Sequence, residues 1–193
     1  MAVSERLRAF LHSSKVKFTA AKHPTVYTAQ EIAASQHVPG RQLAKCVLIN
    51  TNNGPVLAVL PAVYLVDLKK LKSQLGAKTA TIGKEADIKQ RFPDIEVGAM
   101  SPFGNLYQVP VIVDRSLSES DQIVFNAGSH TDTIKMAYKD FAGLVKPKAG
   151  AFSQPRKGEA PAARKKSSRK PAAKKRPATT RPAAKKKRSA RRR

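Results

Sequence analysis

Apolar residues recur along the first 145 positions with two periods. Leu7, Phe10 and Leu11 share one face of a helix predicted over Ser4 to Ser13. Lys17 to Lys22 reads as a strand. Thr28-Ala29-Gln30-Glu31 is a capping-box pattern that opens a helix through Ala34, and Val38-Pro39-Gly40 closes it. Leu43 to Asn50 and Pro55 to Leu60 read as two strands. Asn52-Asn53-Gly54 between them predicts a hairpin, because Asn and Gly accept positive φ.

Asp67 caps a helix carrying Leu68, Leu71 and Leu75, and Gly76 stops it. A strand around Lys78 to Thr81 and a helix from about Lys84 to Phe92 follow, the latter ended by Pro93. Gln108 to Val113, Gln122 to Phe125 and Thr131 to Met136 are further strands, and Tyr138 to Leu144 is a closing helix. Strands come in hairpins and helices interrupt them without strict alternation. The fold class is therefore α+β, with a mixed, largely antiparallel sheet.

Charge divides the chain. The formal net charge is +24, of which residues 146–193 carry +19, with 20 Lys/Arg against Glu159 alone. Ten of the eleven aromatic residues precede position 146. The expected organisation is one domain over 1–145 and a disordered Lys/Arg/Pro/Ala-rich tail over 146–193, too poor in apolar surface to offset its ordering entropy. Within the tail, Lys170-Pro-Ala-Ala-Lys-Lys175 returns as Arg181-Pro-Ala-Ala-Lys-Lys186. Such a polycation binds phosphate backbones without reading sequence.

One cysteine, Cys46, excludes an internal disulfide framework and a Cys-rich zinc site. The four histidines show no metal-ligand spacing. The N-terminus lacks a signal-peptide pattern, and the longest apolar run, Val56 to Val66, is broken by Pro61 and too short to span a bilayer. A soluble, cytoplasmic protein with no membrane partner is expected.

Candidate chemistry lies in three segments. Lys45 interrupts the apolar strand Leu43-Ala44-Lys45-Cys46-Val47-Leu48-Ile49. Burying an ammonium group is costly unless it is paired, so such a lysine either faces solvent or serves chemistry. Gly98-Ala99-Met100-Ser101-Pro102-Phe103-Gly104 is a loop whose glycines permit close backbone approach and whose proline fixes shape, so its N–H groups suit an anion or a developing oxyanion. A plain turn is the alternative. Asn126-Ala127-Gly128-Ser129-His130 follows an apolar run, and His130 reads as a base, a phosphate contact or a structural hydrogen-bonder. Cys46 in its strand reads as packed rather than nucleophilic. No Walker loop, dinucleotide fingerprint or Gly-x-Ser-x-Gly elbow is present.

These segments, together with His23-Pro24, Tyr27-Thr28-Ala29-Gln30-Glu31-Ile32-Ala33 and Gly40-Arg41-Gln42-Leu43-Ala44-Lys45, occur in an order that resembles the YbaK/EbsC family, free-standing relatives of the prolyl-tRNA synthetase editing domain. The resemblance spans roughly residues 3–145. It implies a mixed sheet curled into a partial barrel with flanking helices, and no metal or organic cofactor. It implies trans-editing hydrolysis of the ester of mischarged tRNA, with tRNA(Pro) the expected acceptor. By the same resemblance, Lys45, Gly98, Pro102 and His130 are the catalytic candidates. Cys46, Met100, Ser101, Asn126, Gly128 and Ser129 are the substrate-binding ones. The expected partners are the aminoacylated 3′ end and phosphate backbone of tRNA, and the tail, which lies outside the resemblance, is a candidate contact to a tRNA synthetase or other nucleic acid. The edited amino acid (Ala, Cys, Ser, Thr or another) stays open. Two other classes are a non-catalytic nucleic-acid-binding protein on an editing-type fold with a histone-like tail, and a protein acting on a small nucleotide-like ligand.

Overall fold

The computed structural model describes residues 4–25, 31, 32, 34 and 38–155. They fall within one compact unit. In chain order the elements are α1 (Glu5–Ser13), β1 (Phe18–Lys22), β2 (Ala44–Thr51), β3 (Gly54–Pro61), β4 (Tyr64–Val66), α2 (Leu68–Leu75), β5 (Ala80–Ile82), α3 (Glu85–Arg91), β6 (Val111–Asp114), β7 (Gln122–Asn126), β8 (Asp132–Ala137), α4 (Tyr138–Val145), β9 (Lys148–Gly150) and β10 (Ser153–Pro155). Short 3₁₀ turns occupy Gly104–Tyr107 and Arg115–Glu119. Residues 31, 32 and 34 are helical, and the rest of the expected 28–34 helix lies outside the described residues.

The hairpin forms where Asn-Asn-Gly predicts it, with β2 and β3 in register from Ala44↔Pro61 to Thr51↔Gly54. Asn52 does more than turn the chain. Its Oδ1 accepts the N–H groups of Lys78 and Thr79 (2.6 and 3.1 Å), which sets the approach of β5. The five-stranded sheet runs β5-β2-β3-β6-β9, and its β3–β6 and β6–β9 pairs are parallel. A second sheet, β1-β8-β7, is antiparallel throughout. A small pair joins β10 to β4.

Among the described residues, one isolated bridge joins the two larger sheets. Leu43 forms a parallel bridge with Val124, and the Val124 N–H donates to Gln42 O at 2.9 Å. From there the sheets curl around a shared core without closing into a barrel. Ala44, Leu48, Leu57 and Val59 face that core from the first sheet, and Ile123, Phe125, Ile134 and Met136 from the second. Leu7 and Leu11 of α1, Ile88 of α3 and Phe141 of α4 fill the sides. The other face of the five-stranded sheet is covered by Leu71 of α2 and by Phe152.

Several boundaries depart from the sequence reading. The strand expected from Gln108 begins at Val111, because Gly104–Tyr107 takes a 3₁₀ turn and Gln108 caps it with φ 57°. β4 lies within an apolar run that Pro61 interrupts. The composition boundary at 145 also falls short of the folded part. Lys148–Gly150 pairs with β6 and Ser153–Pro155 with β4, and Phe152 between them is fully buried. A buried Phe contributes roughly 1.5–3 kcal/mol. Two buried-carboxylate contacts, from Asp114 Oδ2 to the N–H groups of Phe152 and Ser153 (2.9 and 2.8 Å), pin the return. Residues 156–193 lie outside the described residues.

Candidate active site

Strand alternation separates Lys45 from its neighbours. Ala44, Cys46 and Leu48 of β2 turn toward the main core, whereas Leu43, Val47 and Ile49 pack on the other side. Lys45 belongs to that second side. It is half-buried, and its Nζ donates to Ala62 O at 3.3 Å. It is thus neither a surface lysine nor an uncompensated buried charge.

The surroundings of Lys45 follow from the Leu43–Val124 bridge. Leu43, Val124, Ala62 and Ile32 form a small apolar cluster. Lys45 and Asn126 each lie two residues past the bridge on strands that run parallel there. Asn126 Oδ1 is buried and has no hydrogen-bond partner among the described residues. A buried acceptor left open is unusual and marks a place where a ligand can bond. Val124 also lines an open cavity of about 250 Å³, together with Thr19, Ala21, Val38, Pro39, Gln42, Thr133 and Lys135.

The second and third sequence segments meet each other. Gly98 has φ +90° and Gly128 φ +105°, backbone states that favour glycine. At Gly128 a side chain would also run into Ser4, whose Cβ lies 3.1 Å from the site of a Cβ. Glu96 N–H donates to Gly128 O (2.9 Å), and Gly128 N–H donates to Ala99 O (3.1 Å). His130 N–H donates to Glu96 Oε2 (2.8 Å), and its ring Nε2 lies 2.9 Å from Val97 O. Met100, Ser101 and Pro102 are buried beyond this brace. Among the described residues, no acceptor takes the N–H of Gly98, Met100 or Ser101.

The turn that carries His130 is fixed from within. Asp132, 3 % exposed, accepts hydrogen bonds from Ser129 Oγ (2.7 Å) and Thr131 Oγ1 (2.8 Å). Burial pushes its carboxyl up, but these two hydroxyls and the charge of Lys22 outweigh it and leave the carboxyl below its ordinary range. Ser129 therefore spends its hydroxyl on the turn.

Two of the expected pocket residues lie elsewhere than sequence adjacency to Lys45 or to the loop suggests. Cys46 packs against the main core, on the opposite face of β2 from Lys45, and burial drives its thiol well above the ordinary range, so it carries no thiolate. Met100 sits in the main core at 5 % exposure. Two residues outside the sequence shortlist stand in the site's framework. One is Glu96, whose role no local pattern announces. The other is His23, 7 % exposed, which donates from Nδ1 to Pro24 O and leaves Nε2 buried without a hydrogen-bond partner among the described residues.

Residues 23–144 match the family model described as the aminoacyl-tRNA editing domain. The chain belongs to that family. It is 25% identical over 158 residues to the prolyl-tRNA editing protein ProX of Acetoanaerobium sticklandii, covering 79% of this chain and 96% of ProX. It is 29% identical over 119 residues to EbsC of Enterococcus faecalis, named for deacylation of Cys-tRNA(Pro) and Cys-tRNA(Cys), covering 61% of this chain and 72% of EbsC. A solved structure described as a trans-editing enzyme for prolyl tRNA synthetase superposes with TM-score 0.70 at 16% identity, covering 80% of this chain and 98% of that one. The chain is thus an editing domain of the YbaK/EbsC type, and the matched stretch includes Lys45, the Gly98–Pro102 loop and the turn that carries His130.

Proposed function

We propose that this editing domain binds the aminoacylated 3′ end of mischarged tRNA(Pro) through Lys45 and directs the Gly98–Pro102 loop at the scissile ester. The activity is trans-editing: hydrolysis of an aminoacyl-tRNA ester, with tRNA as substrate. An aminoacyl ester is already activated, so the protein has mainly to hold it, admit a water and stabilise the tetrahedral oxyanion. Lys45 supplies a fixed cation for the phosphate or ribose of the terminal adenosine. Asn126, with its buried open acceptor, contacts a ribose hydroxyl or the amino group. The free N–H groups of Gly98, Met100 and Ser101 face the developing negative charge, and Pro102 holds their spacing. Gly128 and Ser129 shape the turn beside them. The reaction takes place where tRNA is charged, in the cytoplasm.

The observation that carries this reading is Lys45 itself, a half-buried ammonium kept inside an apolar strand of an editing fold, at the position past the Leu43–Val124 bridge that corresponds to Asn126 with its unsatisfied amide oxygen. The test is release of amino acid from a panel of tRNAs mischarged with Ala, Cys, Ser or Thr. The wild-type protein releases at least one of them. Lys45→Ala loses at least about 100-fold in kcat/KM, with an unchanged circular dichroism spectrum. A folded Lys45→Ala protein with near-normal turnover removes the proposal, and release from none of the four favours a binding-only role.

The remaining positive charge serves the same polyanion. Residues 156–193 contain 18 Lys/Arg and one acid. Such a segment captures tRNA through its phosphates at a rate that falls with salt. Docking to a synthetase through the same segment is part of the proposal.

A further inference from the structure

The brace between residues 96–99 and 128–130 does more than hold two loops together. A carbonyl oxygen only accepts, so the contact at 2.9 Å between His130 Nε2 and Val97 O requires the ring proton on Nε2. That proton is present in both the neutral tautomer and the imidazolium. The ring also lies close enough to the loop that a Cβ at Gly98 would stand 3.4 Å from its Cε1. The Val97 carbonyl and the Gly98 N–H belong to one planar trans peptide and point in opposite directions. Gripping the carbonyl therefore aims the N–H. Glu96 completes the device, because its carboxylate accepts the His130 backbone N–H at 2.8 Å while its own N–H and C=O tie to Gly128 and Ala99.

We propose that Glu96 and His130 are positioning residues that fix the Val97–Gly98 peptide so that its N–H points at the carbonyl of the bound ester. In this assignment His130 works through its Nε2–H and not as a proton acceptor, and Glu96 works by holding His130. The inference rests on the reading of the Gly98–Pro102 loop as the oxyanion-facing element.

Side-chain chemistry supplies the test. The amide nitrogen of Gln can occupy the place of histidine Nε2 and donate, whereas that of Asn matches Nδ1 and falls short. Steady-state deacylation of mischarged tRNA by the full chain is measured for each variant. His130→Ala lowers kcat by about 10- to 100-fold, less than the roughly 100- to 1,000-fold that losing an oxyanion donor outright costs, while KM changes less than about twofold. His130→Gln recovers most of that loss and His130→Asn does not. Glu96→Ala lowers kcat about tenfold, and Glu96→Gln, whose amide oxygen still accepts the N–H, restores it. Gln and Ala equally inactive at 130, or His130→Ala and Glu96→Ala both fully active, overturns the assignment. Gly98→Ala separates the two levels, since it strains φ +90° directly. If it is inactive while both alanine variants work, only the brace is wrong. If Gly98→Ala is itself fully active, the loop reading falls and the brace falls with it.

Discussion

Lys45 and Asp132 show two ways of keeping a charge inside this domain. Lys45 is half-buried, and its ammonium donates to the carbonyl of Ala62. Asp132 is buried and fully engaged by the hydroxyls of Ser129 and Thr131. Its carboxyl is held below the ordinary value of about 3.9. A group whose folded pKa is depressed adds stability above its unfolded pKa and loses it as pH falls through the folded value. Asp132→Asn is expected to cost about 1–2 kcal/mol at pH 7, because a buried charge-assisted network is weakened. Urea unfolding at pH 7 and near pH 3 checks this. The gap between wild type and variant should narrow at the lower pH, and a constant gap would count against the network.

Among the elements, the end of the folded chain is the least expected. β9 and β10 are three residues each and carry no hydrophobic alternation that marks a strand. They are held by partners: β6, β4 and the carboxylate of Asp114, which also accepts from Ser116. Asp114→Ala strands the N–H groups of Ser116, Phe152 and Ser153, at about 1–3 kcal/mol for each buried donor left open. We expect a loss of about 3 kcal/mol in urea unfolding, and a loss below about 1 kcal/mol would mean that β9 and β10 are held by packing alone. By contrast, β2 and β3 need no such help. Their register follows from the Asn-Asn-Gly turn and from apolar residues that suit both faces.

For the whole molecule, the site is a consequence of two sheets meeting. β2 brings Lys45, β7 brings Asn126, and the turn after β7 meets the loop after α3. Capture of tRNA by the basic segment is a proposal that truncation tests. A chain ending at residue 155 is expected to keep its melting temperature and kcat, to show a raised KM at low salt, and to lose part of the salt dependence of KM. An unchanged KM at both low and high salt would contradict capture by the segment. A chain ending at 145 instead loses β9, β10 and Phe152 and should melt lower. No helix among the described residues is long and apolar enough to cross a membrane.

The sequence by itself determined the elements whose causes are local. The α1 face of Leu7 and Leu11, the Asp67 cap that accepts from Lys69 and Lys70, the β2–β3 hairpin and the α+β class all rest on periodicity and turn chemistry between near neighbours. It also picked out Lys45, because a cation in an apolar strand needs a reason. Only the tertiary structure decided what depends on distant partners. Sequence adjacency put Cys46 beside Lys45, and strand alternation sends it to the opposite face. Composition ended the domain at 145, and pairing with β6 and β4 carries it to 155. Glu96 gained its place from a hydrogen bond across the meeting of two loops, a relation that has no period and no spacing along the chain.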